Sequence, residues 1–295
     1  MSTSSPRHVG CWLPGNKRSY ALLSSADPSQ IKRAVVFTHG FNGSAADTWM
    51  NFIGLVDYAG AASNWWENVD LFFFDYRWAS MFRQVAENTR ALERFIESIW
   101  PTPNKAFKDI YGGLQRDHFS YEEISLVGHS EGGLLVRKLI LKEAKRQGLH
   151  DPQTAATKPS PFPTGLLKAD VRLFAPAIAG ESLTGIGGVL ASTPVIANLI
   201  RAFAAKSSMA AESVSVSGTR TITELLARNY DLPCFKAHVL WANKDQVVVS
   251  EEYLFDHACA NVPPRTNHVN ICKPNDRYLL PMTFIENGVV NGTCQ

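Results

Sequence analysis

The sequence feature that most constrains the fold is a Gly-x-Ser-x-Gly pentapeptide, Gly128 to Gly132, placed between an apolar run and a helical pattern. Only a sharp strand-to-helix turn presents the hydroxyl of Ser130 from such a context. Gly128 and Gly132 flank the serine at positions where a Cβ would collide with the opposite arm of the turn. The pattern predicts a strand that rises to Val127, a strained turn at Ser130, and a helix to about Gln147.

Short apolar runs alternate with segments of helical periodicity along the rest of the chain. The predicted strands, besides the one before the serine, are Tyr20–Leu23, Ala34–Thr38, Val69–Tyr76, Val171–Pro176 and Phe235–Ala242. The predicted helices, besides the one after it, are Trp49–Gly60 and Met81–Trp100. This alternation predicts an α/β fold with a mostly parallel central sheet flanked by helices.

The rhythm of strands and helices breaks between the last two predicted strands. The segment from Ser182 to Ile200 has no charged residue, yet its glycines, Pro194 and Asn198 argue against a membrane span. We expect a single domain over residues 1–295, with a core of about 1–180 and 232–295 and a helical cap or lid inserted at about 181–231. A plain pair of core helices is the alternative for this insertion.

Composition excludes several classes of function. A net charge of +2 without any block of Lys or Arg gives no indication of nucleic-acid binding. Five scattered cysteines, an odd count without Cys-x-x-Cys spacing, argue against a disulfide framework. No metal-ligand spacing appears, so no metal or cofactor is expected. The polar stretch from Met1 to Gly10 shows no secretory signal, so a cytoplasmic location is the expectation. The oligomeric state stays open.

A serine hydroxyl becomes a useful nucleophile only with a base within hydrogen-bond reach. Of eight histidines, His268 fits best, because it lies in a loop after the last predicted strand and can reach over the sheet edge. We expect His39 to order its own loop, His129 to point away from the serine, and His238 to be a core residue. His268 is therefore the predicted base.

The acid that orients such a base should follow a strand that lies between the serine and the histidine in sequence. Asp245 comes directly after the apolar run that ends at Ala242. The competing acids are Asp231, Glu251, Glu252 and Asp256. Asp231 precedes the strand, at its wrong end, and residues 251–256 are expected to begin the next helix. Asp245 is the predicted acid.

Two backbone N–H groups are candidates for an oxyanion hole, which stabilises negative charge on a substrate oxygen. The N–H of Glu131 lies at the start of the helix that follows Ser130. The N–H of Phe41 lies in the turn His39–Gly43, directly after the first buried strand. Both should point into the space in front of the serine hydroxyl.

The chain resembles the α/β-hydrolase superfamily of serine hydrolases. The matching pieces are His39–Gly43, Gly128–Gly132, Asn243–Val248 and His268, in that superfamily's order of nucleophile, acid and histidine. The stretch from His268 to Pro274 is similar to the histidine loop of lipase-like serine esterases. Glu131 departs from common versions, so its side chain should point outward. Ser130 in the place of an aspartate argues against haloalkane dehalogenases and epoxide hydrolases.

The resemblance implies a carboxylic ester hydrolase that works through an acyl-enzyme on Ser130. The apolar stretch within the cap favours a small ester or lipid-like substrate and transient contact with a lipid surface. A long-chain lipase, a thioesterase, an amidase and an acyltransferase are open alternatives on the same three residues. A ligand-binding module that keeps the scaffold without turnover is the alternative outside enzymes.

Overall fold

The computed structural model describes residues 7–14, 16–40, 43–56, 63–76, 85–104, 107–114, 116, 118–149, 165–177, 208–245, 248, 253–257 and 263–288. Within them lies one sheet of seven strands: β1 (His8–Leu13), β2 (Asn16–Ser24), β3 (Arg33–Thr38), β4 (Val69–Phe74), β5 (Glu123–His129), β6 (Asp170–Phe174) and β7 (His238–Leu240). The helices are α1 (Ala45–Leu55), α2 (Asn64–Glu67), α3 (Val85–Ile99), α4 (Lys108–Gly113), α5 (Glu131–Arg146), α6 (Ser208–Asn229) and α7 (Leu280–Asn287).

The strand order is β1-β2-β4-β3-β5-β6-β7. Strands β4, β3, β5, β6 and β7 are parallel, while β2 runs antiparallel to both β1 and β4. This mostly parallel sheet with flanking helices is the arrangement of the α/β-hydrolase fold, so the predicted fold class is confirmed. The register pairs Thr38 with Gly128 and His129 with Phe174, which brings the carboxyl ends of β3, β5 and β6 to one edge.

The central strands carry apolar side chains on both faces, which favours their burial between two layers of helices. All six residues of β4 are buried, as expected for a parallel strand covered by helices on either side. On α3, by contrast, the buried apolar residues recur at helical spacing, at Leu92, Phe95, Ile96 and Ile99. Phe95 of this stripe packs against Phe74 of β4, with ring centroids 4.9 Å apart, and α3 also lies beside α5.

Some elements differ from the sequence prediction in presence or extent: α1 begins at Ala45 rather than Trp49, and α2 and α4 were not predicted. Strand β1 was not predicted, because its residues Val9 and Trp12 are exposed and it lies at one edge of the described sheet. Strand β7 is short, since Pro233–Phe235 form a 3₁₀ turn where the prediction began the strand. The helix expected to begin within 251–256 is wrong for the described residues 253–257, which form a turn and a bridge to His238.

The predicted cap lies largely outside the described residues, because 178–207 are not among them. Its last part is α6, whose buried residues Thr219, Thr223, Leu226 and Ala227 lie on one side. Helix α6 packs against α5, the helix that follows the serine turn. The division into core and cap stays a prediction. Among the described helices, none has the length and apolarity needed to cross a membrane.

Candidate active site

Ser130 sits at the apex of a sharp turn between β5 and α5. Its backbone has φ 54° and ψ −124°, a conformation that costs a residue with a Cβ of the order of 1–3 kcal/mol. Three hydrogen bonds hold it there. The N–H of Ser130 donates to the Phe174 carbonyl (3.0 Å), and its carbonyl accepts the N–H groups of Gly133 (3.0 Å) and Ala177 (3.1 Å). The neighbouring strand β6 and its following residues therefore stabilise the strained turn.

The glycines around the serine are required by close backbone approach. A Cβ on Gly128 would lie 2.7 Å from Cα of Gly133, across the turn, as predicted. A Cβ on Gly132 would instead meet the end of β3, 2.5 Å from the His39 carbonyl oxygen. The prediction that a Cβ on Gly132 would collide with the opposite arm of the turn is therefore wrong, because it would collide with the main chain at Thr38 and His39 instead. A Cβ on Gly40 would come within 2.7 Å of Cβ of Ser130 itself.

The structure brings Ser130, His268 and Asp245 into one hydrogen-bonded chain. His268 Nε2 lies 2.9 Å from Ser130 Oγ, and His268 Nδ1 lies 2.9 Å from Asp245 Oδ2. A carboxylate only accepts, so Nδ1 carries the hydrogen and Nε2 has a free lone pair for the serine proton. Ser130 is 3% and His268 8% exposed, so these hydrogen bonds are shielded from water.

The loops that supply the acid and the histidine are tied to each other. The N–H of Lys244 donates to the Thr266 carbonyl (3.0 Å), and the N–H of Asn243 donates to Thr266 Oγ1 (3.1 Å). The other oxygen of Asp245, Oδ1, accepts the N–H of Val248 at 3.0 Å. The carboxylate is thus fixed in orientation before it meets the imidazole.

The other candidate acids are engaged elsewhere or are not described. Asp256 accepts two hydrogen bonds from Nη2 of Arg137, at 2.6 and 2.7 Å. Asp231 is exposed and pairs with Lys236 at 2.6 Å. Glu251 and Glu252 lie outside the described residues.

The contacts of His39 and His238 can be compared with the roles predicted for them. His39 orders its loop as predicted: Nδ1 donates to the Gly40 carbonyl (2.7 Å), and Nε2 accepts the N–H of Tyr76 (3.3 Å). His238 is half-buried at the start of β7 and stacks on His257. Burial, with Arg172 next in importance, lowers the pKa of His238 to about 4.

The orientation of the His129 ring relative to Ser130 stays a prediction, but nothing in the sequence indicated its neighbour in the site. The ring lies 4.9 Å, centroid to centroid, from the ring of His268. Its Nε2 is 2.7 Å from the main-chain carbonyl oxygen of His268. Sequence reasoning missed this contact because a histidine next to a serine gives no indication of which distant loop covers it.

The two predicted oxyanion donors stay predictions. Glu131 is the first residue of α5, where an N–H has no partner within the helix. Phe41 lies outside the described residues. The carbonyl of Gly40, which belongs to the same peptide group as the N–H of Phe41, accepts two hydrogen bonds. Both His39 Nδ1 and the N–H of Gly43 (3.1 Å) donate to the carbonyl of Gly40. The side chain of Glu131 is half-buried, and its outward orientation likewise stays a prediction.

Among the described residues, no group of three or more His, Cys, Asp or Glu side chains could hold a metal ion. The described cysteines Cys11, Cys234 and Cys272 are free, and Cys259 and Cys294 lie outside the described residues.

Comparison with known proteins adds only a loose likeness in fold. No family model and no curated protein matches the sequence. Among solved structures, phospholipase PlaB from Legionella pneumophila with thio-NAD has 16% identity and a TM-score of 0.41, over 72% of this chain and 38% of that one. The Bacillus licheniformis lipase BlEst2 has 16% identity and a TM-score of 0.44, covering 90% of this chain and 97% of the lipase.

A third structure, the peroxisomal α/β-hydrolase Lpx1 from Saccharomyces cerevisiae, has 11% identity and a TM-score of 0.45 over 97% of this chain and 86% of its own. This chain therefore spans well under half of PlaB but most of the other two proteins. At such identities and TM-scores these likenesses carry no information on activity or substrate.

Proposed function

We propose that this chain, which has the α/β-hydrolase fold, hydrolyses carboxylic esters through an acyl-enzyme on Ser130. The observation that carries the proposal is the hydrogen-bonded chain from Asp245 through His268 to Ser130 at a strained strand-to-helix turn. A hydroxyl so placed has a base for its proton and an acid to stabilise the imidazolium that forms. A purely structural serine needs neither.

In the acylation half, Oγ of Ser130 attacks the ester carbonyl carbon while its proton moves to Nε2 of His268. The carbonyl oxygen becomes an oxyanion, for which the N–H groups of Phe41 and Glu131 are the proposed donors. Such donors are worth about 3 kcal/mol each in comparable sites. The intermediate collapses as the C–O bond to the alcohol breaks, and His268 gives its proton to the departing alcohol. Asp245 stays ionised throughout.

In the deacylation half, water takes the place of the alcohol beside His268. His268 removes a proton from the water, whose oxygen attacks the acyl carbon of the Ser130 ester. The second tetrahedral intermediate collapses to the free acid, and Oγ recovers its proton from the imidazolium. The net reaction consumes one ester and one water and yields one alcohol and one acid.

The first test is turnover of a short p-nitrophenyl ester by the wild-type chain and by Ser130→Ala. The variant should lose the activity while its circular dichroism and melting temperature stay close to wild type. Ser120→Ala, which alters an exposed hydroxyl remote from the turn, is the matched control and should keep full activity. Activity retained in Ser130→Ala would refute the assignment.

A panel of substrates that share one acyl group but differ in the leaving group tests whether the chain prefers esters, thioesters or amides. An ester hydrolase should show its highest kcat/KM on the oxygen esters. A preference for thioesters or amides would keep the three-residue machinery and change the substrate class. A series of acyl chain lengths, below and above the micellar threshold, tests the proposed preference for lipid-like chains.

A further inference from the structure

His129, the last residue of β5, links the proposed base to the strand that ends at the serine. Its Nε2 lies 2.7 Å from the main-chain carbonyl oxygen of His268, and the contact is buried. Its ring is edge-on to the indole of Trp49, with centroids 6.4 Å apart and an interplanar angle of 86°. Because a carbonyl oxygen only accepts, Nε2 must carry the hydrogen, and His129 is the donor.

A donor in this place has to be uncharged. The rings of His129 and His268 are 4.9 Å apart, and the base becomes a cation when it takes the serine proton. A lysine or arginine could donate the same hydrogen bond but would oppose a second positive charge at that distance. Burial, and next the proximity of His268, lower the pKa of His129 to about 3. The ring therefore stays neutral at physiological pH.

The turn that carries His268 is closed by its own side chains. Oδ1 of Asn267 accepts the N–H groups of Val269 (3.0 Å) and Asn270 (2.9 Å). Thr266, the residue before Asn267, accepts hydrogen bonds from the N–H groups of Lys244 and Asn243 in the loop that carries Asp245. The bond from His129 is the contact that ties the main chain of His268 itself to the strand leading into Ser130.

We propose that His129 is a positioning residue, which sets the distance and angle at which the imidazole of His268 meets the serine hydroxyl. The inference rests on the proposed ester hydrolysis and assigns a role to a residue inside the Gly-x-Ser-x-Gly motif. Without this donor, the buried carbonyl of His268 loses the hydrogen bond that it accepts from the described residues, and the turn shifts to replace it. Displacement of a reacting group by about 1 Å costs on the order of 100-fold in rate.

The test compares two substitutions of similar bulk. His129→Leu removes the donor, whereas His129→Gln keeps an N–H at about the same reach as Nε2. His129→Leu should lower kcat by up to about 100-fold with little change in KM, and His129→Gln should recover most of that loss.

The matched control is His8, another buried histidine whose Nε2 contacts a main-chain carbonyl, that of Val69, at 3.2 Å. His8 is in β1, remote in the sheet from β5. His8→Leu should lower the melting temperature but leave kcat at its wild-type value. A role for His129 in stability alone would make the two leucine variants behave alike.

The outcomes separate the two proposals. If the wild-type chain neither turns over the ester panel nor reacts with a fluorophosphonate, the proposed function fails and the role of His129 in it falls too. If the wild type is active and folded His129→Leu matches its kcat, only the positioning role is overturned. Equal loss in the Leu and Gln variants would also overturn it, since ring packing rather than the donor would then matter.

A measurement on the wild-type chain covers the case in which His129→Leu does not fold. Nitrogen-15 NMR of histidine-labelled protein should show the ring of His129 with its hydrogen on Nε2 and no protonation between pH 5 and pH 8. A hydrogen on Nδ1 instead, or a titration within that range, would contradict the hydrogen bond to His268 and overturn the proposal.

Discussion

The carboxylate of Asp245 has both of its oxygens engaged. Oδ1 accepts the N–H of Val248, and Oδ2 faces Nδ1 of His268. The first contact holds the carboxylate in place, and the second selects the tautomer in which His268 can accept the serine proton. Asp245 therefore acts on Ser130 indirectly, through His268.

Replacement of Asp245 by Asn keeps the shape of the side chain and removes its negative charge. The amide keeps the size of the side chain but can present its NH₂ to Nδ1, which favours the wrong tautomer and no longer stabilises the imidazolium. We expect kcat to fall by about 10⁴-fold while the melting temperature changes little. Steady-state kinetics on the p-nitrophenyl ester measure this, and a loss of less than tenfold would show that Asp245 does not orient the base.

The residues of the site were predictable to different degrees. Ser130 and its glycines carry a local pattern, because the turn itself demands small neighbours. His268 and Asp245 could be placed only through their order along the chain, and the structure puts both within 2.9 Å of their partners. The contact of His129 could not be predicted, since it depends on how a loop 139 residues away folds back.

Among the elements, α5 is anchored at two points. Its N-terminus follows Ser130 directly, and its second turn carries Arg137, whose side chain is 1% exposed and pairs with the fully buried carboxylate of Asp256. The guanidinium also lies 3.9 Å from the ring centre of Tyr253. Burial raises the pKa of Asp256, and Arg137 opposes that rise. The pair joins the serine helix to the segment that follows the acid loop.

Arg137→Met should destabilise the chain by about 3–5 kcal/mol, because it leaves the Asp256 charge buried and unpaired. The double variant Arg137→Met/Asp256→Leu removes both charges and should recover most of the loss. Urea denaturation of the single and double variants measures the difference. A double variant less stable than the single one would contradict this reading of the pair.

Helix α6 contains Gly218 in its interior, and a Cβ built there meets nothing within 4 Å. Gly218→Ala should therefore stabilise the helix, by about 1 kcal/mol, because alanine restricts the unfolded chain and favours the helical state. The same change at Gly128, where the Cβ would lie 2.7 Å from Gly133, should destabilise strongly. Thermal melts of both variants test the contrast, and a loss of stability in Gly218→Ala would contradict it.

Element types were more predictable from the sequence than element ends. The buried parallel strands β3 and β4 are apolar at four and five of their six positions, which gives a clear signal. Strand β1 has exposed apolar residues and pairs with a single strand among the described residues, so nothing in its pattern distinguishes it from a loop. The start of β7 lies at His238 because the 3₁₀ turn Pro233–Phe235 takes up the first predicted residue and engages the N–H of Lys236, which donates to the Pro233 carbonyl (2.9 Å).

For the molecule as a whole, the buried rings of His129 and His39 make stability depend on pH. The pKa of His129 falls from its ordinary 6.5 to about 3 on folding, chiefly through burial. The pKa of His39 is lowered for the same reason. Above pH 6.5 these rings are neutral in both states and their contribution to stability is full. As the pH falls below 6.5, the unfolded chain takes up protons that the folded chain does not, so stability is lost.

For His129 alone, this loss should amount to about 2 kcal/mol between pH 7 and pH 5. His129→Gln has no ring to protonate, so its free energy of unfolding should fall by that much less over the same interval. Urea denaturation at the two pH values measures both slopes. Identical losses for the wild type and His129→Gln would contradict the buried, neutral state of this ring.

The most direct measurement is covalent capture by a fluorophosphonate probe, mapped by mass spectrometry of the digested chain. We predict one equivalent of label on the peptide that contains Ser130, no label in Ser130→Ala, and slow labelling in His268→Gln. An unlabelled wild-type chain, or a label that persists in Ser130→Ala, would contradict an activated nucleophile at Ser130.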